Sequence, residues 1–119
     1  GISGFAIEMS RASKRLLIST EEIISTDEIR RQPDRTIIPH YLVDAVVHAP
    51  FGSHPGEMCY LYERDEDQIK AWVKASAEPD TTRAYLQKYI YDLKDHQEYL
   101  ELIGAKRLQE LQDLVPEVR

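Results

Sequence analysis

Two short groups of polar residues in this sequence have types and a spacing that could support chemistry. The first is the loop FGSHP at positions 51–55, which directly follows a short apolar run. Gly52 would let the backbone approach a ligand closely. Ser53 and His54 offer hydrogen bonds, and a histidine side chain often changes its charge near neutral pH. Ligands of open α/β sheets bind beyond the carboxyl ends of the strands, which favours a binding loop here. A simple turn between two elements has the same composition, so both interpretations stay open.

The second group is the acidic pair Glu21 and Glu22, which follows another short apolar run. A buried carboxylate at this position could act as an acid, a base or a nucleophile. Successive residues of an extended segment point in opposite directions, so we do not expect these carboxylates to act together. The simpler interpretation is a solvated acidic start to the next element. We assign no catalytic residue to this chain.

The elements that must position these groups alternate between helix and strand. Residues 4–15 predict a short helix, and residues 15–20 form an apolar run that is typical of a buried strand. Ser25 and Glu28 have capping-box spacing at the start of a second helix, which Pro33 ends. A helix placed between two strands favours parallel pairing in an α/β sheet.

A second strand region is predicted at 35–49. It begins as a broken strand at 35–41, interrupted at Pro39, and continues as the best β segment of the chain at 43–49, which is rich in valine. Two strands are too few for a parallel sheet that helices cover on both faces. We therefore expect a piece of a larger domain, or a chain that completes its sheet from another polypeptide.

From Asp65 onward the pattern changes to helices with apolar stripes. Asp65 and Asp95 each precede a Gln or Glu by three positions, which is typical of helix N-caps. The predicted helices cover 65–77, 80–94 and 95–116, with a pause at Gly104. The helix tyrosines are predicted to pack within the fold: Tyr85, Tyr89, Tyr91 and Tyr99. We treat 1–119 as a single partial domain, with an α/β portion at 1–63 and helices at 64–119.

Composition argues against several classes of partner. The net charge of −6 disfavours a nucleic-acid surface, which would need a basic face. No apolar run approaches the ~20 residues of a membrane span, and the N-terminus does not resemble a secretory signal, so we expect a cytoplasmic protein. Cys59, the single cysteine, is predicted to be a buried, inert thiol. The four histidines share no ligand spacing, so no metal site is expected, and the sequence has no Gly-rich phosphate loop, so no tightly bound cofactor is expected either.

Three segments in fixed order carry a resemblance to a known family. They read RLLISTEEIISTDEIRR, RTIIPHYLVDAVVHAPFGSHP and CYLYERDEDQI. Together they resemble the C-terminal part of the A subunit of family I coenzyme A transferases, of the glutaconate CoA-transferase type. The resemblance implies part of an open, mostly parallel sheet of the CoA-transferase type, followed by a C-terminal helical segment.

The resemblance also implies an activity and its partners. Coenzyme A would be a substrate and would move between an acyl-CoA and a carboxylic acid, in a hetero-oligomer whose B subunit supplies the glutamate nucleophile. A complete A subunit is much longer, so this chain would need the missing N-terminal part and would be inactive alone. The substrate-binding residues Phe51, Gly52, Ser53 and His54 would line the acyl-CoA cleft.

Two other functions stay open at this point. Related subunits hydrolyse CoA thioesters or open rings in steroid degradation, and the residues that distinguish them lie outside this sequence. A non-catalytic interaction module would instead use the tyrosine- and leucine-rich helices to dock a partner. Helices with such apolar stripes usually bury them within their own fold, so we place this alternative last.

Overall fold

The computed structural model of the chain describes residues 4–116, which separate into two units. The first unit ends at Gly52 and contains the strands, whereas the second begins at Ser53 and is helical. Residues 53–63, which the sequence analysis grouped with the strands, belong to the helical unit. The single partial domain over 1–119 stays a prediction.

The first unit alternates helix and strand, as predicted. Its elements are α1 (Ala6–Ala12), β1 (Leu17–Thr20), α2 (Thr26–Arg31) and β2 (Ala45–His48), with 3₁₀ turns at Pro33–Arg35 and His40–Leu42. The strands pair in parallel up to Thr20 opposite His48, which confirms the predicted pairing. Two hydrogen bonds between Asp44 and Leu16 fix the start of this ladder. The Asp44 carboxylate accepts a hydrogen bond from the Leu16 amide at 2.7 Å, and the Asp44 amide donates one to the Leu16 carbonyl at 2.9 Å.

Local signals in the sequence determine where α2 begins and ends. The Ser25 hydroxyl accepts from the Glu28 amide at 3.3 Å, and the Glu28 carboxylate accepts from the Ser25 amide at 3.2 Å, which confirms the predicted capping box. The helix ends at Arg31, because Pro33 disfavours helical geometry in the residue before it.

The broken strand predicted at 35–41 is wrong, since 3₁₀ turns flank this part of the described chain and no strand lies within it. The turns close their own hydrogen bonds: the Thr36 amide donates to Pro33 and the Val43 amide to His40, both at 3.1 Å. Pro39 has no amide hydrogen to give to a sheet ladder, so local turns satisfy this backbone better than strand pairing does.

The sheet of the first unit is open to solvent at β2. Every β2 residue is exposed, and Val46 and Val47 retain 56% and 54% of their accessible surface. An open groove of about 1210 Å³ is lined by Ile18, Ile29 and Val46, among other residues. Parallel sheets are normally covered on both faces, so the described residues leave this sheet incomplete, as the count of strands predicts.

Helices make up most of the second unit. They are α3 (Glu66–Ala75), α4 (Pro79–Leu86), α5 (His96–Ile103) and α6 (Ala105–Asp113), and a π-helical turn at Gln87–Tyr91 continues α4. Asp65 accepts from the Gln68 amide at 3.1 Å and Asp95 from the Glu98 amide at 3.0 Å, which confirms both predicted N-caps. Gly104 has φ 93°, which an α-helix cannot accommodate, so the predicted last helix is divided into α5 and α6.

The core of the second unit is formed by α6 and the segment before α3. Its buried apolar side chains are Tyr62, Leu108 and Leu111, and Leu111 is only 1% exposed. The Glu63 amide donates to the Leu111 carbonyl at 3.0 Å, which joins the two segments through the backbone as well. No helix within residues 4–116 is both long enough and apolar enough to cross a membrane.

Most of the helix tyrosines pack as predicted. The ring centroids of Tyr85 and Tyr89 are 4.5 Å apart, and the Tyr99 ring contacts the His54 ring edge to face at 5.7 Å. Tyr91 is exposed, so its predicted packing is wrong. It closes the π-helical turn, whose wider winding moves it away from a stripe spaced at 3.6 residues per turn.

Cys59 is exposed, and the prediction of a buried thiol is therefore wrong. Met58 and Tyr62 form an isolated antiparallel bridge, with amide-to-carbonyl distances of 3.0 and 3.1 Å. Cys59 lies in the tight turn that this bridge closes, so its side chain has no core to enter. Its apolar neighbours in sequence gave a misleading indication of burial.

Replacing Leu111 with alanine is expected to lower the free energy of unfolding by about 3 kcal/mol, because the change leaves a cavity in the core. Leu114→Ala is the matched control: Leu114 is 63% exposed. That change should alter the free energy by less than about 0.5 kcal/mol. Urea unfolding followed by circular dichroism measures both variants, and equal effects would contradict the core position of Leu111.

Candidate functional site

The carboxyl ends of β1 and β2 form the candidate site of the first unit. Backbone contacts continue past the ladder, because the Ala49 amide donates to the Thr20 carbonyl at 2.8 Å. One residue further, His48 Nε2 lies 3.1 Å from the Glu21 carbonyl. A carbonyl oxygen only accepts, so Nε2 carries the hydrogen in this contact. The two strand ends are therefore held side by side beyond the sheet itself.

A tight turn with an unusual residue follows β2. The Gly52 amide donates to the Ala49 carbonyl at 2.9 Å, and Pro50 occupies the second position of the turn. Phe51, at the third position, has φ 56°, in the left-handed region. A proline followed by a residue with positive φ is the pattern of a type II turn, which normally has Gly or Asn at the third position. A residue with a Cβ there costs about 1–2 kcal/mol.

Gly52 is explained by the turn itself. A Cβ added at this residue would stand 2.8 Å from the Ala49 carbonyl oxygen, which is closer than side chains tolerate. The glycine therefore follows from the shape of the turn, whether or not a ligand approaches its backbone. The predicted role of Gly52 in ligand binding stays a prediction.

The Glu21 carboxylate is part of this strand-end loop. Its Oε2 accepts from the Phe51 amide at 2.5 Å, across 30 positions of sequence. Glu21 is half-buried, whereas Glu22 is exposed. The interpretation as a solvated acidic start to the next element is thus wrong for Glu21 and confirmed for Glu22. A hydrogen bond to a charged acceptor contributes about 1.5–3 kcal/mol, which is enough to offset the left-handed conformation of Phe51.

In the second unit, Ser53 and His54 are both engaged in hydrogen bonds. The Ser53 amide donates to the Tyr62 hydroxyl at 3.0 Å. The His54 side chain is 0% exposed, with Nδ1 at 2.6 Å from the Tyr99 hydroxyl and Nε2 at 3.2 Å from the Asp65 carboxylate. Both ring nitrogens therefore have partners within this unit. The predicted contact of His54 with a substrate stays a prediction.

Arg107 compensates the charge of the buried Asp65 carboxylate. Its guanidinium donates to both Asp65 oxygens, at 3.2 and 2.7 Å, and also to Asp67 at 3.0 Å. The hydrogen bonds from Arg107 hold the pKa of Asp65 far below its usual range against the opposing effect of burial, with further help from the Gln68 amide and His54. The same contact with Asp65 raises the pKa of Arg107.

The protonation of this network follows from its geometry. Asp65 is ionised and can only accept, so the hydrogen of its contact with His54 lies on Nε2. Burial raises the pKa of Tyr99 to about 12, so its hydroxyl, which lies 2.6 Å from His54 Nδ1, stays protonated at neutral pH. Every polar group of this chain of contacts is then satisfied.

The partners of these polar groups could not be predicted from the sequence in either unit. Arg107 lies 42 positions from Asp65, and Tyr99 lies 45 positions from His54. Only the N-cap spacing of Asp65 was visible locally. In residues 4–116, no group of three or more His, Cys, Asp or Glu side chains could hold a metal ion.

No protein-family model matches this sequence. An uncharacterized protein of Archaeoglobus fulgidus is 48% identical over 105 residues, which cover 87% of this chain and 24% of the relative. The A subunit of glutaconate CoA-transferase from Acidaminococcus fermentans is 42% identical over 102 residues, which cover 86% of this chain and 32% of the relative. The A subunit of 3-oxoadipate CoA-transferase from Pseudomonas knackmussii is 33% identical over 99 residues, which cover 83% of this chain and 34% of the relative.

The backbone is similar to that of a solved structure. The crystal structure of glutaconate CoA-transferase from A. fermentans matches with a TM-score of 0.92 and 40% identity, over 99% of this chain and 37% of that chain. This match confirms the predicted fold class, a parallel open sheet followed by helices. The chain spans between 24% and 34% of the length of the relatives named above.

Arg107→Leu is expected to lower the free energy of unfolding at pH 7 by about 3 kcal/mol, because it leaves a buried carboxylate without its partner. Since the pKa of folded Asp65 is lowered, its contribution is present above the unfolded pKa of about 3.9 and is lost as the pH falls below it. The variant should therefore lose less stability than the wild type between pH 7 and pH 3.

Lys106→Leu is the matched control for this measurement. The Lys106 side chain is 93% exposed, and its Nζ lies 4.0 Å from the Glu110 carboxylate, which is long for an ion pair. Its removal should therefore change the free energy of unfolding by less than about 0.5 kcal/mol. Urea unfolding at a series of pH values measures all three proteins. Parallel pH profiles for the wild type and Arg107→Leu would contradict the role assigned to the pair.

Proposed function

We propose that this chain belongs to the CoA-transferase A-subunit family and forms part of an A subunit that transfers CoA between an acyl-CoA and a carboxylic acid. The observation that carries the proposal is the agreement of almost the whole backbone with the glutaconate enzyme, at a sequence identity well above that of unrelated proteins with a common fold. Coenzyme A is proposed as a substrate, and a cytoplasmic location remains part of the proposal.

The nucleophile is proposed to come from a B subunit. Covalent catalysis by a carboxylate divides the exchange into two steps and keeps the energy of the thioester while water is excluded. Two protected carboxylates of the described chain already have structural partners. Glu21 accepts from the Phe51 amide, and Asp65 is paired with Arg107 and His54. These contacts support a nucleophile outside this chain.

The incompleteness of the first unit supports the need for further polypeptide. Among the described residues, every fully buried apolar side chain belongs to the second unit. The first unit instead exposes Val46 and Val47 on its sheet and an apolar groove around Ile18 and Ile29. We propose that the remainder of the A subunit covers this surface, and that turnover requires it.

The Phe51–Gly52 turn is the part of the chain that we propose to contact acyl-CoA. It lies at the carboxyl ends of parallel strands, where ligands of open α/β sheets bind. Phe51 keeps a large side chain at a backbone position that favours glycine, and such outliers concentrate at functional sites. Contacts of Ser53 and His54 with the substrate are retained as predictions only.

The proposed activity is tested with the full polypeptide that carries this chain, purified with and without the proposed B subunit. Acetyl-CoA and small dicarboxylic acids are supplied together, and the new acyl-CoA and free CoA are quantified by chromatography. Exchange in the mixture and none in either protein alone is the expected result. Release of free CoA without exchange would identify a thioester hydrolase, and no reaction in any mixture would contradict both activities.

Phe51→Gly distinguishes the contribution of the Phe51 side chain to binding from the cost of its positive φ. Glycine adopts positive φ without cost, so the free energy of unfolding should stay equal or rise. The KM for acyl-CoA should rise about tenfold, because a buried aromatic contact is lost. Tyr60→Gly is the matched control, since Tyr60 also has positive φ, at 70°, and is exposed. An unchanged KM in Phe51→Gly would remove this side chain from the proposed site.

A further inference from the structure

We infer that Glu21 is a positioning residue, whose carboxylate selects the conformation of the turn after β2 and so orients Phe51 toward acyl-CoA. The inference rests on the function proposed above for the Phe51–Gly52 turn. Its structural part, the control of the turn by the carboxylate, stands on the contacts of the first unit alone.

The geometry of the turn gives the carboxylate this control. Type I and type II turns differ mainly by a rotation of the peptide bond between their second and third residues. Here that bond joins Pro50 to Phe51, and its N–H donates a hydrogen bond to Glu21 Oε2. Rotation of this peptide toward the type I form would turn the N–H away from the carboxylate and return Phe51 to negative φ. The hydrogen bond therefore favours the left-handed form that is observed.

The backbone of Glu21 is itself fixed, which makes the carboxylate an effective anchor. The Thr20 carbonyl accepts from the Ala49 amide, and the Glu21 carbonyl lies 3.1 Å from His48 Nε2. These contacts hold Glu21 against the carboxyl end of β2 on both sides of its Cα. The carboxylate reaches the turn from a position that is already ordered, so little conformational entropy is lost in the contact.

The chemistry of the side chain also fits a positioning role better than a catalytic one. One carboxylate oxygen already accepts a short charge-assisted hydrogen bond from a backbone amide that cannot transfer its proton. Glu22, the adjacent carboxylate, is exposed. Loss of Glu21 should thus act through Phe51 rather than on bond making or breaking.

The test uses the full A-subunit polypeptide assembled with its B subunit. Glu21→Ala should raise the KM for acyl-CoA about tenfold with kcat changed less than about twofold, the size expected for one lost charge-assisted hydrogen bond. Glu21→Gln keeps an acceptor oxygen and should recover most of the affinity. Glu22→Ala is the matched control and should leave both constants unchanged. In a Phe51→Gly background, Glu21→Ala should have a smaller effect, because the two residues act through one contact.

A second readout does not depend on activity. Hydrogen exchange at the Phe51 amide, measured by mass spectrometry on the same preparations, should accelerate in Glu21→Ala and not in Glu22→Ala. Unchanged exchange at this amide would overturn the inference, as would a KM equal to that of the wild type. If the wild-type assembly shows no CoA exchange while the amide accelerates as expected, the turn control holds and the proposed function fails. Should Glu21→Ala not fold, as judged by circular dichroism, Glu21→Met, which has a similar length but no acceptor oxygen, decides by the same two measurements.

Discussion

The parallel pairing of β1 with β2 is the constraint on which the candidate site depends. Parallel strands place both carboxyl ends at one edge, so residues 30 positions apart in sequence meet there. The Glu21 carboxylate can then reach the Phe51 amide, and the backbone contacts of Thr20 and His48 extend the order past the sheet. In an antiparallel arrangement, the loops after the two strands would lie at opposite ends.

The two protected carboxylates of the chain show how burial and partners decide the task of an acid. Glu21 accepts from a backbone amide and shapes a turn, whereas Asp65 begins a helix and is neutralised by Arg107. Each of these two carboxylates uses its oxygens for structural contacts.

The two units differ in how much of their apolar surface is buried. The second unit has a core around Leu111 and a satisfied polar network around His54, so its helices are supported by their own contacts. The first unit exposes the valines of β2 and an apolar groove. Parallel sheets are stabilised by layers on both faces, which is the physical basis for the proposal that further polypeptide covers this unit.

Sequence alone determined the features that depend on neighbours close along the chain. The capping box of Ser25, the N-caps at Asp65 and Asp95 and the parallel strand–helix–strand order are local, because each rests on residues a few positions apart or on the spacing of elements. The ordered motifs also predicted the resemblance to CoA-transferase A subunits that the sequence and backbone matches support. The tertiary structure alone decided which polar groups meet: Glu21 with Phe51, His54 with Tyr99, and Asp65 with Arg107.

The tertiary structure also exposed Cys59 and Tyr91. A turn and a π-helical winding, not their apolar neighbours, set the direction of those side chains. Contacts across 30 to 45 positions leave no periodic signal, because the chain between them decides whether the two residues ever approach.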